Sequence, residues 1–206
     1  TIAVLPGSRS QEVGRCWPVM VQVLKKLHAR HPQATFLVAC YRDEHRRECV
    51  QRMLIEAPSL PVQFFVGKTS EIIELGDFAL MVSGSVSLEM VARRTPSVVV
   101  YRIGRGLDIL RRIGFQIRWI SLPNLIANRE VMPEFLSVGN PAPAISGITD
   151  VLDRWTRLPE ERQLAVEQLE SLADGLIETG ATRRTADFIL RTLAGNVARD
   201  ESRRAA

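Results

Sequence analysis

The chain has 206 residues and a net charge of +4, and 46% of its residues are hydrophobic. This suits one large domain or one domain with an appendage, and no apolar run approaches the roughly 20 residues that a membrane-spanning helix needs. The charge lies far from a nucleic-acid-binding extreme, and three cysteines without paired short spacing exclude a disulfide framework and a zinc ribbon. We therefore expect a cytoplasmic protein with reduced thiols and no nucleic-acid partner.

Short apolar runs recur in the first half of the chain and are nearly continuous rather than alternating. This pattern is typical of strands that are buried on both faces of a parallel sheet. The runs lie at Ile2–Leu5, Phe36–Ala39, Val62–Val66, Phe78–Val82 and Val98–Tyr101. Because Thr1 already adjoins the first run and no Met precedes it, we expect the chain to be part of a longer protein.

Helical patterns separate these runs. Apolar residues from Val19 to Leu27 recur at the spacing of one buried helix face, and Pro18 suits the first turn of that helix. Three further helices are predicted at Asp43–Ala57, which is polar and exposed, Thr69–Leu75 and Ser85–Arg93. The alternation of strands and helices indicates an α/β fold with a doubly wound parallel sheet.

The last third of the chain is predicted to be helical. Apolar residues share helix faces in three successive stretches, around Ile148, Leu169 and Leu190. We predict a domain at residues 1–140, C-terminal helices at 141–195 that pack on it or across from it, and a frayed tail at 196–206.

The segment Leu5-Pro6-Gly7-Ser8-Arg9 follows the first predicted strand, at the sheet edge where open parallel sheets bind ligands. Gly7 allows a tight turn, and Ser8 offers a hydroxyl. Arg9 offers a planar guanidinium suited to phosphate or carboxylate. Taken alone, the segment also fits an ordinary turn with a surface arginine.

The segment from Ser83 to Glu89 follows the fourth predicted strand and opens a helix, whose free N–H groups and positive end form an anion site. Gly84 allows a diphosphate to approach the backbone. Glu89 lies one turn further, where a carboxylate can accept hydrogen bonds from two ribose hydroxyls. The alternative to an anion site is a helix cap, because Ser85 and Glu89 lie near the spacing of a capping box, though not at it. Together the two segments suit a nucleoside diphosphate, although G-x-G-x-x-G and P-loop motifs are absent.

A third segment, from Ser121 to Glu130, carries polar residues without a periodic role. A core stripe cannot explain both Asn124 and Arg129. The alternative is a loop that leads into a helix around Val131–Leu136.

Four segments, in this order, resemble the signature segments of the lipid-A-disaccharide synthase family. They are Leu5–Arg9 (LPGSR), Ser83–Glu89 (SGSVSLE), Thr95–Arg102 (TPSVVVYR) and Leu122–Glu130 (LPNLIANRE). The likeness runs from about Ile2 to Leu136, and the last segment is the most specific. At residues 85–87 the chain has Ser-Val-Ser where the family usually has Thr-Ala-Thr or similar, so hydroxyl side chains persist.

The resemblance implies half of a GT-B glycosyltransferase, in which two Rossmann-like domains face a cleft. This chain would be the C-terminal half, which holds the UDP-sugar donor. The family joins UDP-2,3-diacylglucosamine to 2,3-diacylglucosamine 1-phosphate (lipid X), with inversion and release of UDP, and it needs no metal or other cofactor. The general base is expected in the N-terminal half. The isolated chain would therefore bind the donor weakly and catalyse nothing.

The resemblance also assigns roles to the residues of these segments. Those expected to hold the donor are Gly7, Ser8, Arg9, Ser83, Gly84, Ser85, Glu89 and Glu130. Arg9 would lie near the diphosphate, the segment from Ser83 around it, and Glu89 at the ribose. The residues expected at the reaction site are Asn124 and Arg129.

Arginines cluster between Arg93 and Arg118, with apolar residues such as Leu110 and Phe115 among them. A basic and apolar stretch suits a membrane interface. We hypothesise a peripheral contact with the inner face of the cytoplasmic membrane or with acyl chains. The alternative packs the apolar residues in the core.

The three histidines predict no metal site. His28 and His31 have the spacing of ligands on one helix face, but no third ligand is evident, and His45 lies in a charge-rich helix. All three are interpreted as surface residues.

Three other functions are compatible with parts of the sequence. Another UDP-sugar GT-B enzyme, such as a peptidoglycan glycosyltransferase or a UDP-sugar epimerase, would use the same diphosphate site, but the segment Leu122–Glu130 argues against it. A non-catalytic nucleotide-binding module would bind without transfer. A structural α/β domain would bind nothing.

Overall fold

The computed structural model describes residues 1–104, 118–176 and 180–204. Within them, six parallel strands form one sheet in the order β3-β2-β1-β4-β5-β6, which confirms the predicted α/β fold. The strands are β1 (Ile2–Leu5), β2 (Phe36–Cys40), β3 (Val62–Val66), β4 (Phe78–Met81), β5 (Ser97–Ile103) and β6 (Glu134–Val138). The helices among the described residues are α1 (Ser10–Arg30), α2 (Asp43–Glu56), α3 (Thr69–Leu75), α4 (Val86–Arg93), α5 (Leu122–Ala127), α6 (Ala142–Arg157), α7 (Pro159–Leu176) and α8 (Ala181–Arg204).

The core lies on both faces of the sheet. Every residue of β1, β2 and β4 is buried, as their continuous apolar runs predict. Alternate side chains of a strand point to opposite faces. Accordingly Val4 belongs to the cluster that contains Trp17 of α1 and Ile148 of α6, whereas Ala3 packs with Met90 of α4.

The strand order reverses next to β1. The chain runs outward from β1 to β3, then returns to β4 on the other side of β1 and continues to β6. The loops that follow β1 and β4 therefore leave neighbouring strands at the same edge. In open α/β sheets, this switch point is where a crevice for ligands forms.

The alternative interpretation of the third segment, which placed a helix around Val131–Leu136, is wrong on that point, because residues 134–138 form a strand. β6 pairs in parallel with β5, from Glu134 beside Val99 to Val138 beside Ile103. A five-residue segment with mixed polarity does not specify a helix or a strand by itself. The segment becomes a strand because the exposed edge of β5 offers backbone hydrogen-bonding partners.

The expectation that Pro18 lies in the first turn of α1 is also wrong. The helix begins at Ser10, so Pro18 lies inside it and cannot donate a backbone hydrogen bond there. The two turns before Pro18 bury Val13 and Trp17, and the Trp17 indole N–H donates to the carbonyl of Cys49 at 3.1 Å. This packing offsets the missing bond.

The surface interpretation is wrong for two of the histidines. His31 is buried at the end of α1, where its Nε2 lies 2.8 Å from Oδ1 of Asp153 on α6. His45 is buried at the start of α2, with its Nε2 3.2 Å from the hydroxyl of Ser10. Both rings serve contacts between helices that a local pattern does not report.

The chain divides into two compact units, residues 1–174 and 175–206. The first contains the sheet. The second contains α8, on which Phe188, Ile189, Leu190 and Leu193 are exposed. The boundaries predicted after residues 140 and 195 remain predictions. No helix in the described part of the chain is long and apolar enough to cross a membrane.

Candidate functional site

A cavity of about 610 Å³ opens at the switch point of the sheet. This volume lies within the range of small-molecule sites. Residues of both predicted loops line it, together with the residues that follow β2. The lining residues are Leu5, Gly7, Ser8, Arg9, Glu12, Ala39, Tyr41, Arg42, Thr69, Val82, Ser83, Gly84, Ser85, Val86 and Glu89.

The loop after β1 is wrapped around the side chain of Glu12. Gly7 has φ of 116°, in the region that favours glycine. The carboxylate of Glu12 accepts hydrogen bonds from the backbone N–H groups of Ser8 and Arg9, at 3.2 and 3.3 Å. This contact anchors the start of α1 and fixes the path of the loop.

Arg9 projects from this loop into the opening of the cavity. Its side chain is 79% exposed, and its Nη1 donates to Oε1 of Glu12 at 2.7 Å. That hydrogen bond, together with the negative charge of Glu12, raises the pKa of the Arg9 guanidinium above its ordinary value. The guanidinium is therefore a fixed positive charge, and most of its N–H groups face solvent.

The loop after β4 offers backbone donors. Among the described residues, nothing accepts a hydrogen bond from the N–H groups of Gly84 and Ser85, which precede α4 and are exposed. The Ser87 hydroxyl donates to the carbonyl of Gly84 at 2.6 Å, which holds the turn. Free N–H groups and the positive end of a helix suit an anion.

Glu89 lies one turn into α4, on the wall of the cavity. Its Oε1 accepts hydrogen bonds from the hydroxyl of Ser70 at 2.7 Å and from Nε of Arg93 at 3.0 Å. Its Oε2 accepts from no group in the described part of the protein, and the side chain is 32% exposed. One carboxylate oxygen is thus held in place while the other can receive a ligand.

Sequence reasoning missed four polar residues that line the cavity, namely Glu12, Tyr41, Arg42 and Thr69. Tyr41 and Arg42 follow β2, and the Arg42 guanidinium lies 5.5 Å from the centre of the Tyr41 ring. Their position directly after a predicted strand was the available signal, because the carboxyl ends of parallel strands share one sheet edge.

Asn124 is completely buried and does not line the cavity. Its Oδ1 accepts from the backbone N–H groups of Val131 and Met132, at 2.7 and 2.9 Å. Its Nδ2 donates to the carbonyl of Met132 and to Glu134, each at 2.7 Å. These four bonds use the full capacity of the amide.

Glu134 holds the same segment together through hydrogen bonds. Sequence reasoning did not assign a role to this residue either. Besides the amide of Asn124, its carboxylate accepts from the backbone N–H groups of Ile120 and Ser121, at 2.7 and 2.8 Å. The Ser83 hydroxyl in turn donates to the carbonyl of Ile120 at 3.4 Å. The third segment is therefore joined to the loop after β4.

Arg129 and Glu130 are exposed and lie outside the cavity lining. Arg129 follows Asn128, which ends α5 in a left-handed conformation with φ of 49°. Among the described residues, Arg129 makes no ion pair. Its guanidinium is thus available to a ligand.

The arginine cluster lies only in part within the described residues. Arg93 pairs with Glu74 and Glu89, and Arg118 lies 5.2 Å from the centre of the Trp119 ring. The hypothesised membrane contact rests mostly on residues 105–117, which lie outside the described residues. Across the described ranges, no group of three or more histidine, cysteine or acidic residues is arranged to hold a metal ion.

Comparison with known proteins gives a family match. The sequence model of the family described as lipid-A-disaccharide synthetase matches residues 1–146. The match covers the sheet, both loops of the cavity and the third segment.

Individual relatives extend the similarity toward the C-terminus. The lipid-A-disaccharide synthase of Alcanivorax borkumensis is 31% identical over 192 residues, which are 93% of this chain and 49% of that protein. That of Myxococcus xanthus is 32% identical over 193 residues, which are 94% of this chain and 49% of that protein. That of Aromatoleum aromaticum is 33% identical over 156 residues, or 75% and 39%. The chain spans about half the length of the curated relatives it matches.

Proposed function

The chain belongs to the lipid-A-disaccharide synthetase family, and we propose that it is the donor-binding half of a GT-B glycosyltransferase of lipid A biosynthesis. The donor is UDP-2,3-diacylglucosamine, and the acceptor is 2,3-diacylglucosamine 1-phosphate. The other half of the enzyme supplies the acceptor side of the cleft.

The proposed reaction is an inverting transfer of one sugar. The 6-hydroxyl oxygen of the acceptor attacks the anomeric carbon of the donor as the bond between that carbon and the β-phosphate oxygen breaks. A β-1,6-linked disaccharide 1-phosphate and UDP result. The hydroxyl proton passes to a general base, which we place in the N-terminal half.

The observation that carries the proposal is the cavity at the strand-order reversal. Arg9 lines it, and so do Gly84 and Ser85, whose N–H groups have no acceptor among the described residues. As the reaction proceeds, negative charge accumulates on the departing UDP. A fixed guanidinium and a helix N-terminus stabilise that charge without a metal ion.

Glu89 completes the recognition of the nucleotide. Its carboxylate is held in place through Oε1, and Oε2, which has no donor among the described residues, suits the ribose hydroxyls. The ribose, the diphosphate and the sugar of the donor would then follow the cavity in that order.

Asn124 and Arg129 belong to the reaction side of the donor in this proposal. Arg129 is exposed and can contact the donor sugar or the acceptor phosphate, and Glu130 is a further contact. Asn124 is buried and fully bonded, so its contribution is to hold the segment that carries Arg129. The enzyme would act at the inner face of the cytoplasmic membrane, where acylated substrates reside.

UDP titration of the purified chain, followed by NMR, tests the donor site. We expect saturable binding in the millimolar range, weakened about 10- to 100-fold by Arg9→Ala and by Glu89→Ala, because hydrogen bonds to charged groups contribute about 1.5–3 kcal/mol each. Arg15→Ala, which removes an exposed arginine outside the cavity, is the matched control and should bind UDP like the wild type.

Two outcomes would refute the proposal. One is the absence of UDP binding both in this chain and in the chain joined to its N-terminal half. The other is sugar transfer by the isolated chain, which would show that the general base lies here.

A further inference from the structure

The loop after β1 encloses the carboxylate of Glu12, an anion that belongs to the protein itself. The Glu12 carboxylate accepts hydrogen bonds from the backbone N–H groups of Ser8 and Arg9 and from the guanidinium of Arg9. The side chain of Glu12 is only 10% exposed. The place that a bound phosphate would take in such a loop is therefore filled.

The absence of a side chain at Gly7 leaves room for the side chain of Glu12 rather than for a ligand. A Cβ atom at position 7 would lie 2.8 Å from Cβ of Glu12 and 2.9 Å from its Oε2. Close approach of the backbone at Gly7 thus serves the contact with Glu12. The sequence-based expectation assigned Gly7 a tight turn and a place among the residues that hold the donor.

The loop after β4 differs in this respect. No carboxylate of the described residues accepts from the N–H groups of Gly84 and Ser85, and a Cβ atom at Gly84 would meet nothing within 4 Å. In the loop after β1, by contrast, the N–H groups of Ser8 and Arg9 are already bonded to Glu12. The first loop offers a side chain, that of Arg9.

We infer that Glu12 is a positioning residue, which holds the loop after β1 closed on its own carboxylate and directs the Arg9 guanidinium at the diphosphate of the donor. The inference rests on the proposed function, since it concerns the same site. A phosphate would contact Arg9 through its side chain and would leave the backbone N–H groups of Ser8 and Arg9 bonded to Glu12.

The physical reason lies in the exposure of Arg9. A long side chain that is 79% exposed loses its freedom of rotation when it binds a ligand. The bond from Nη1 to Glu12 removes part of that freedom beforehand. It occupies one guanidinium N–H and leaves the others for two phosphate oxygens.

The test compares UDP with uridine, which has no phosphate, in Glu12→Gln. Glutamine keeps the size of the side chain and one oxygen acceptor but loses the charge-assisted bond to Arg9. We expect UDP affinity to fall about tenfold while the shifts induced by uridine stay unchanged. Glu44→Gln, an exposed glutamate outside the cavity, is the matched control and should alter neither ligand.

A double variant shows whether Glu12 acts through Arg9. In the background of Arg9→Ala, Glu12→Gln should cause no further loss of UDP affinity. In the wild type, UDP should shift the amide resonances of Gly84 and Ser85 and the Nε–H resonance of Arg9, and leave the amide of Ser8 in place.

The outcomes separate this inference from the proposed function. Failure of the wild-type chain to bind UDP at all would overturn both. If the wild type binds, the inference alone is overturned by unchanged or tighter UDP binding in Glu12→Gln, by an equal loss for uridine, or by a loss that persists in Arg9→Ala. Tighter binding would mean that phosphate displaces Glu12 from the loop.

Discussion

Replacing Asn124 with alanine should destabilise the protein far more than replacing its exposed neighbour Arg129. The two residues lie five positions apart in the same polar segment, and sequence patterns give no reason to treat them differently. The structure separates them, because Asn124 is completely buried with four hydrogen bonds and Arg129 is exposed without an ion pair among the described residues.

The magnitude follows from the groups that Asn124→Ala leaves behind. The backbone N–H groups of Val131 and Met132 and the carbonyl of Met132 lose their side-chain partner, and both residues are buried. An unsatisfied buried polar group costs about 1–3 kcal/mol, so the free energy of unfolding should fall by about 3 kcal/mol or more. Arg129→Ala removes no such bond and should change the free energy of unfolding by less than about 0.5 kcal/mol.

Urea denaturation followed by tryptophan fluorescence measures both variants. All three tryptophans, Trp17, Trp119 and Trp155, lie in the unit of residues 1–174 that contains the sheet. If Asn124→Ala unfolds within 0.5 kcal/mol of the wild type, or if Arg129→Ala is the more damaging change, the role assigned to the buried amide is wrong.

Two further predictions concern α6. Burial alone would raise the pKa of Asp153, but hydrogen bonds from His31 and Arg157 outweigh it and hold the pKa below its ordinary value. Asp153→Asn should therefore cost about 1.5–3 kcal/mol near neutral pH, and the difference from the wild type should shrink as pH falls below about 4, through the lowered pKa. Gly147→Ala should destabilise by about 1–3 kcal/mol, because its Cβ would overlap the ring of Phe135.

Each change on α6 has a matched control in urea denaturation. Asp150→Asn removes a carboxylate that is 51% exposed and should give a small effect at every pH. A pH-independent difference between Asp153→Asn and the wild type from neutral pH to below the ordinary aspartate pKa would contradict the first prediction. Gly175→Ala, where a Cβ meets nothing within 4 Å, should be neutral or stabilising. Equal effects of the two glycine replacements would contradict the second.

Local sequence patterns were sufficient for much of the fold. The continuous apolar runs of β1, β2 and β4 could only be buried on both faces, and their alternation with helices left a parallel sheet as the solution. The polar segments after β1 and β4 were recognisable because they follow those runs directly.

Several features depended on contacts between distant parts of the chain. β6 is a strand because the edge of β5 was available to pair with it, and Pro18 is tolerated inside α1 because the preceding turns are buried. His31 is buried because it forms a hydrogen bond with Asp153, which lies more than a hundred residues away in the sequence. No local spacing contains this information.

The sequence by itself determined which residue types stand at the carboxyl edge of the sheet, since that follows from the order of apolar runs and polar turns. Only the tertiary structure decided what each of them does there. It joined the loops after β1 and β4 into one cavity, because the strand order reverses between them, and it buried Asn124 beneath its own segment. It also placed Glu12 inside the first loop, because a helix that starts at Ser10 turns that side chain back toward Gly7.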